Sequence, residues 1–552
     1  MFDATFSYDE SSSDVDPQLK KKKGDNKELV ERIDIDEFLI KGGECGCFQI
    51  FVQSGLFLVL FPLVFPILLF YYIGYDPPWR CLYNNNNITH SVDFNKTCSN
   101  SSVIFPHDDG SRCDLDRSEW TFHYHKTTLV TEFDLVCNRS SLNALAGSIV
   151  FIGWAIGIVI SGYLSDNYGR KWTMFIGFFV TTVLLFVSAF VNQIWQLIAV
   201  RFFIGLFFAA PALNTYVMVV EIVGPNRRVM ATTMSHFCSV AAGIVLTIKA
   251  KFINEWKTLT MACSVPYLIG MVAVFCVPES VRWLNLKGRT KEAEAILRKA
   301  AKYNKKILPS VSLEPAESEE KHGRKASYID LFKRWKLAKS MLAQGFIWFQ
   351  CGMSTYALTW SFANLSGDMY KTIYFLLWCK SLDTLLSGFC YRRTVVGCFI
   401  VACIPKTEKL AVYRLVFGMT GFFMISNVFT VMYMWSSEIY PTVLRTQGMG
   451  INIVTSRLGA ATSPFIKILD QFHPSAPFIL MSLCGMVATA LCFMLPETKD
   501  RQTRETLRDM LEDAVELRTM AAVDIREDLS DDSEIDYDAD IEETHALILT
   551  KV

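Results

Sequence analysis

Apolar stretches of membrane-spanning length recur along this 552-residue chain, separated by polar blocks, and that alternation restricts the fold more than any other feature. About 20 residues of helix cross the roughly 30 Å of bilayer hydrocarbon, so each such run with few charges reads as a spanning helix. The first is "FQIFVQSGLFLVLFPLVFPILLFYYI" from Phe48, followed by runs near 142–164, 172–192, 194–222, 229–252 and 258–277. After a polar block come 340–362, 370–390, a short run at 394–404, then 409–434, 446–468 and 475–495. Eleven of these windows are long enough to span; the short one, inside "TVVGCFIVACI", is not. Composition agrees, since 51% hydrophobic residues with 41 Phe and 12 Trp exceed what a soluble chain carries. The expected fold class is all-α and polytopic, whereas the net charge of −1 says nothing about partners.

Orientation follows from the basic residues. The block 279–339 holds sixteen Lys and Arg, whereas 74–141 holds six against nine acids, which puts the former in the cytoplasm by the positive-inside rule. The expected division is then a cytoplasmic segment 1–47, a first spanning helix 48–73, an extracellular loop 74–141, helices two to six over 142–278, and the cytoplasmic loop 279–339. Helices seven to twelve over 340–496 and a cytoplasmic tail 497–552 complete it. The extracellular loop carries glycosylation sequons at Asn87, Asn95, Asn100 and Asn138, together with Cys81, Cys98, Cys113 and Cys137. An even cysteine count in an oxidising compartment implies two disulfides, of unreadable connectivity. The polar character of 1–47 excludes a cleavable signal peptide there, so the first apolar run acts as a signal anchor.

An internal repeat relates the two halves. "RFFIG" from Arg201 recurs as "RLVFG" from Arg414, "EIVGPNRR" (Glu221 to Arg228) as "EIYPTVLR" (Glu438 to Arg445), and "VPES" from Val277 as "LPET" from Leu495. Glu221 precedes Glu279 by 58 positions and Glu438 precedes Glu497 by 59. Two six-helix bundles related by an axis along the membrane normal, enclosing a midplane site, are what this pattern implies.

Charge is also concentrated in "SGYLSDNYGRKW", between the second and third windows, where Gly162, Asp166, Gly169, Arg170 and Lys171 sit together. Glycines there allow a tight turn and close approach of the other bundle, and the charges are expected to pair with the facing half as a gate for rocking. The alternative is that Arg170 and Lys171 are positive-inside anchors. "GYLSDNYGRK" resembles the G-x-L-x-D-x-x-G-R-K signature of the major facilitator superfamily, and "RFFIG" its arginine motif. "TTLVTEFDLVCNRSSL", "VPESVRWL" and "SSEIYPTVLRTQGMG" are similar to the organic cation, organic anion and carnitine transporter family over roughly 45–500. That resemblance implies a twelve-helix polyspecific transporter at the plasma membrane.

Ionisable residues at membrane depth are functional candidates. Arg457, inside "INIVTSRLGAATSPF" among small residues that permit close helix packing, is the leading ligand residue. The resemblance associates arginine there with anion and carnitine carriers and aspartate with cation carriers. A guanidinium suits a carboxylate or sulfate through two parallel hydrogen bonds. Arg201 and Arg414, at repeat-equivalent positions, point to structure or gating. Lys380 and Asp383, one helical turn apart, either contact substrate or neutralise each other. Trp348, Tyr356 and Trp360 either stack on an aromatic ligand or pack the helix.

The second half departs from the family pattern, because "GFCYRRTVVGC" keeps only Arg392 and Arg393 of the motif expected after the eighth helix. Lys171 to Arg201 is 30 positions but Arg393 to Arg414 is 21, so the ninth helix is expected to be short. No metal-ligand spacing, phosphate-binding loop or nucleophile motif is present, so neither an enzyme nor a cofactor is expected. Three readings follow: a carrier of organic anions or zwitterions such as carnitine, an organic cation carrier, or a transporter-like glycoprotein acting in adhesion, reception or trafficking. In the tail, "RETLRDMLEDAVELRTMA" reads as an amphipathic helix and "DLSDDSEIDYDADIEE" as an acidic, disordered run. Glu543, Leu547 and Ile548 match an acidic di-leucine signal read by endosomal or lysosomal sorting adaptors. Thr550 and Val552 match a carboxyl end for a PDZ domain.

Overall fold

The computed structural model describes residues 31–82, 104–105, 111–123, 126–306, 311–313, 335–365, scattered positions from 416 to 440, 445–469, 473 and 475–495. The apolar windows at 370–390 and 394–404, with the expected short ninth helix, lie outside the described residues. The tail 497–552 with both of its motifs lies outside them too.

Ahead of the bundle, strand β1 (Glu31–Ile33) leads into helix α1 (Ile35–Gly42), whose N-cap Asp34 accepts from the Asp36 amide. The first apolar run forms α2 (Cys47–Leu63) and α3 (Phe65–Ile73), split at Val64. Pro62 and Pro66 each remove a backbone donor from the ladder, which breaks a run the sequence presents as continuous. Short α4 (Leu129–Phe133) precedes the long helices α5 (Ser140–Tyr168), α6 (Arg170–Val187), α7 (Ile194–Glu221), α8 (Arg228–Phe252) and α9 (Trp256–Cys276). Two shorter helices follow, α10 (Val281–Leu286) and α11 (Thr290–Tyr303). Then come α12 (Trp335–Leu365), positions from Val416 to Ile439 that are helical wherever described, α13 (Arg445–Ile468) and α14 (Ala476–Phe493).

Seven described spans are long and apolar enough to cross a membrane. Helices α12 and α13, at 31 and 24 residues, are long enough but more polar. Their polar side chains are turned inward: Gln344, Gln350 and Ser354 on one, Asn452, Ser456 and Ser463 on the other, are all buried. Burying polar groups against neighbouring helices keeps them out of hydrocarbon, where each unsatisfied group costs several kcal/mol, about 2–7.

The loop between α3 and α5 is anchored on the first bundle. Strands β2 (Trp79–Cys81), β3 (Ile104–Phe105) and β4 (Trp120–Phe122) form an antiparallel sheet in the order β3-β2-β4. Trp79 and Trp120 meet edge to face at 5.9 Å, and the Arg117 guanidinium lies 4.2 Å from the Trp120 ring centre. Cys113 and Cys137 form a disulfide with Cα atoms 5.6 Å apart, and Cys81 is also disulfide-bonded. Cys98 and the sequons at Asn87, Asn95 and Asn100 lie outside the described residues, whereas Asn138 sits in the turn that starts α5.

On the opposite face, the segment before α2 is folded where the sequence reading saw only a polar leader. β1 pairs in parallel with β5 (Val311–Leu313), and Ile35, Phe38 and Leu39 of α1 pack on Trp283, Leu284, Ala293 and Leu297. The apolar positions 35, 38 and 39 have helical spacing, so this element was readable, but its partner lies far along the chain.

Candidate functional site

Helix α5 faces α13 across the boundary between the bundles. At the end of α5 nearest the disulfides, a Cβ on Gly147 would lie 3.3 Å from the Pro464 ring. Further along, Phe151 meets Tyr356 of α12 at 4.7 Å, and then Trp154 meets Arg457, whose guanidinium carbon is 3.7 Å from the indole centre. Beyond that level, among the described residues, no atom outside its own helix turn comes within 4 Å of a Cβ placed on Gly162 or Gly450, and Tyr163 and Tyr168 are 71% and 68% exposed.

Arg457 is the centre of the site. It is only 9% exposed, its Nε has no hydrogen-bond partner, and no carboxylate among the described residues pairs with it. Its position is fixed from below, because Gly352 and Gly459 let α12 and α13 touch backbone to backbone, at Ser456 O and Phe349 O respectively. Any side chain at either glycine would push the helices apart. One turn away, Asn452 donates to Gln344 Oε1 at 2.9 Å, and Trp348 Nε1 donates to Ser436 Oγ at 2.9 Å. Aromatic rings from both bundles gather around Arg457: Phe208 stands edge-on to Trp154 at 4.8 Å, while Tyr433 lies in electrostatic reach of Arg457, Tyr216 and Tyr356. The cluster sets one cation among π faces.

The remaining sequence candidates divide. Tyr356 belongs to the aromatic cluster, tilted against Phe151, whereas Trp348 is fully buried in the second bundle, edge-on to Tyr433 at 4.7 Å. Trp360 and Arg445 fall on described helices, though their side chains lie outside the described residues. Lys380, Asp383, Arg414 and Glu438 lie outside them altogether. Arg201 is buried in the first bundle, donating from Nε to Ala146 O at 2.6 Å with its guanidinium carbon 4.3 Å from the Phe70 ring centre. It braces α7 against α5 and α3.

In the charged turn, Asp166 and Arg170 pair with each other at 2.9 Å, and the facing charges Lys380, Asp383, Arg392 and Arg393 lie outside the described residues. Gly169, at φ +102°, turns the chain so that the amides of Arg170 and Lys171, the first of α6, point at the Glu279 carboxylate, at 3.0 and 3.1 Å for Oε1. An acid at a helix N-terminus satisfies otherwise unpaired donors and the helix dipole, which explains why the charges fold back locally. The Trp283 indole donates to Asp166 O at 3.0 Å. Glu221 accepts from the Ser280 hydroxyl, and Arg228 and Arg282 both bind Asp36 of α1, the former at 2.6 Å. All these partners belong to the first half of the chain.

Sequence reasoning passed over Trp154, Asn452 and Asp36. An isolated tryptophan in an apolar window carries no signal that distinguishes a ligand wall from packing, and Asp36 reads as an ordinary solvated acid.

Residues 100–376 match the family described as Sugar (and other) transporter, half of the chain. The chain belongs to this family, within the major facilitator superfamily. Its relatives there are organic cation, anion and carnitine transporters. Organic cation/carnitine transporter 2 of Homo sapiens is 29% identical over 412 residues, covering 72% of this chain and 74% of that protein. Organic cation transporter protein of Drosophila melanogaster is 29% identical, covering 79% and 80%. Organic anion transporter 3 of Oryctolagus cuniculus is 28% identical, covering 78% and 83%. Among solved structures, the inward open conformation of the xylose transporter XylE from E. coli superposes with a TM-score of 0.55 at 15% identity, covering 82% of this chain and 98% of that one. This last likeness concerns the fold alone, and with the family it makes the chain a multi-pass membrane transporter of the superfamily.

Proposed function

We propose that this transporter carries small organic anions or zwitterions, with Arg457 holding the anionic group against Trp154. The observation that carries the reading is the buried guanidinium at the junction of the bundles, which no carboxylate among the described residues pairs with. A buried charge costs several kcal/mol unless paired, on the order of 20 kcal/mol in the idealised limit, and a visiting carboxylate or sulfate supplies the pair. A cation would meet repulsion at the same place, although carnitine satisfies both walls, its carboxylate on Arg457 and its ammonium on the aromatic rings. Asp166, locally paired and otherwise exposed, is free to change partners as the bundles rock.

The test is uptake of labelled carboxylates, sulfates, carnitine and quaternary amines by cells expressing the chain. Arg457→Ala is expected to abolish uptake of the anions with surface expression retained, and Arg457→Lys to restore it only in part because the forked hydrogen bonds are lost. Quaternary amine uptake that survives Arg457→Ala, with no anion uptake by the wild type, would reverse the substrate class. Absence of any uptake at normal surface level would favour the adhesion or trafficking reading. Surface residence itself is a proposal resting on the tail: Leu547→Ala with Ile548→Ala is expected to raise surface protein through a lost adaptor signal. Deletion of Val552 is expected to lower it through a lost PDZ contact.

A further inference from the structure

The exposed free thiols among the described residues are Cys45, Cys47 and Cys276, and all lie at the face of the bundle opposite the disulfides. Cys81, just past the far end of the first spanning helix, is oxidised, whereas Cys45 and Cys47 at its start are free. The split matches a membrane with an oxidising and a reducing side. Cys45 and Cys47 are therefore on the side where thiols persist.

Their placement is specific. Cys47 is the first residue of α2, and the exposed residues that follow, Ile50, Phe51, Ser54 and Leu58, fall at helical spacing on one stripe with it. The opposite stripe, Phe48, Gln49, Val52, Gln53 and Leu56, is buried in the bundle. Cys47 thus heads a lipid-facing track at the membrane surface. Cys45 stands in the turn just before, and that turn is held in place: Asn304 binds the Gly42 carbonyl and the Phe48 amide at 3.0 Å each, and the Gly224 amide reaches Glu44 O at 3.3 Å. Cys276 lies deeper, since its neighbour Val277 packs on Gly55, roughly 12 Å further along α2 than Cys47 at 1.5 Å per residue.

We propose that Cys45 and Cys47 are acceptors for a long-chain fatty acyl group in thioester linkage. A juxtamembrane thiol beside an apolar track is the setting for reversible acylation, because the chain enters the bilayer along the helix without crossing the headgroups again. The thiolate attacks the thioester carbonyl of a fatty acyl-coenzyme A. The new sulfur–acyl bond forms as the coenzyme's sulfur–acyl bond breaks, and coenzyme A leaves as a thiol carrying the proton the cysteine lost. No oxidant or reductant is consumed.

The test uses full-length chain in membranes of expressing cells. Free thiols are blocked with N-ethylmaleimide, thioesters cleaved with hydroxylamine, and the released thiols tagged with maleimide-polyethylene glycol before immunoblotting. The expected result is a hydroxylamine-dependent shift of one or two tags in the wild type and in Cys276→Ser, lost in the Cys45→Ser/Cys47→Ser double variant. Incorporation of an alkynyl palmitate should follow the same pattern. A wild type with no hydroxylamine-dependent shift, or a shift that persists in the double variant, overturns the assignment. Neither readout depends on transport.

Discussion

A guanidinium stacked on an indole at membrane depth gains on the order of 2 kcal/mol from the ring when desolvated, less than the charge loses on leaving water. In the proposed function that deficit makes Arg457 a receiver and not a finished contact, with Trp154 holding it ready. Trp154→Leu is therefore expected to raise the KM for a transported anion about two- to thirty-fold, the span of a cation–π contact of about 0.5–2 kcal/mol, while Trp154→Phe stays nearer the wild type. An unchanged KM in the leucine variant would leave Trp154 as packing. Asp166 makes a different forecast: Asp166→Asn should slow turnover more than it weakens equilibrium binding, because the carboxylate is exposed, lies away from Arg457 and, among the described residues, pairs with Arg170. Equal loss of binding would count against a role in rocking.

Among the elements, the turn between α5 and α6 depends on one backbone conformation. Gly169, with φ +102° and ψ 159°, occupies a region essentially closed to other residues, and a Cβ there would meet the Glu279 carboxylate. Gly169→Ala should cost about 1–3 kcal/mol and lower the thermal midpoint of detergent-solubilised protein followed by size-exclusion chromatography. Asp36→Ala should have a smaller effect on that midpoint, since its pairs with Arg228 and Arg282 are part-exposed, but it should increase protease cleavage around α1. Spanning helices were legible because length and apolarity are local properties. The burial of Arg457 was signalled by a charge in the middle of such a window, away from its ends. The kink at Val64 was signalled by two prolines that the length of the run obscured. The α1 clasp was not legible in the same way, because Ile35, Phe38 and Leu39 acquire meaning only against Trp283 and Leu297, and nothing local names those partners. Glu279 was singled out as half of a repeat, yet its role as the acceptor for the start of α6 comes from the bend at Gly169, which fixes direction and not composition.

In the whole molecule, the contacts between described helices of the two bundles run from Gly147 to Arg457, and those helices leave room at Gly162 and Gly450, so in the proposed function substrate reaches Arg457 from the face that carries α1, α10 and α11. A cysteine at Gly162, in a chain whose Cys45, Cys47 and Cys276 are replaced by serine, should react readily with a maleimide supplied to that face and more slowly with saturating substrate. Labelling that ignores substrate would separate this opening from the transport cycle. The Asn304 side chain, which reaches the Phe48 amide across 256 positions of sequence, carries a consequence for how the protein is made. A ribosome has released the first spanning helix, and five more after it, before the residue that caps its N-terminal end exists. Until then the amides at the start of α2 have only Gly46 and water for company. The contacts that residues 31–46 make with Gly224, Arg228 and Arg282 are thus completed only when Asn304 and β5 emerge, and a nascent chain halted before Asn304 should be more protease-sensitive at residues 31–46 than one halted after Leu313.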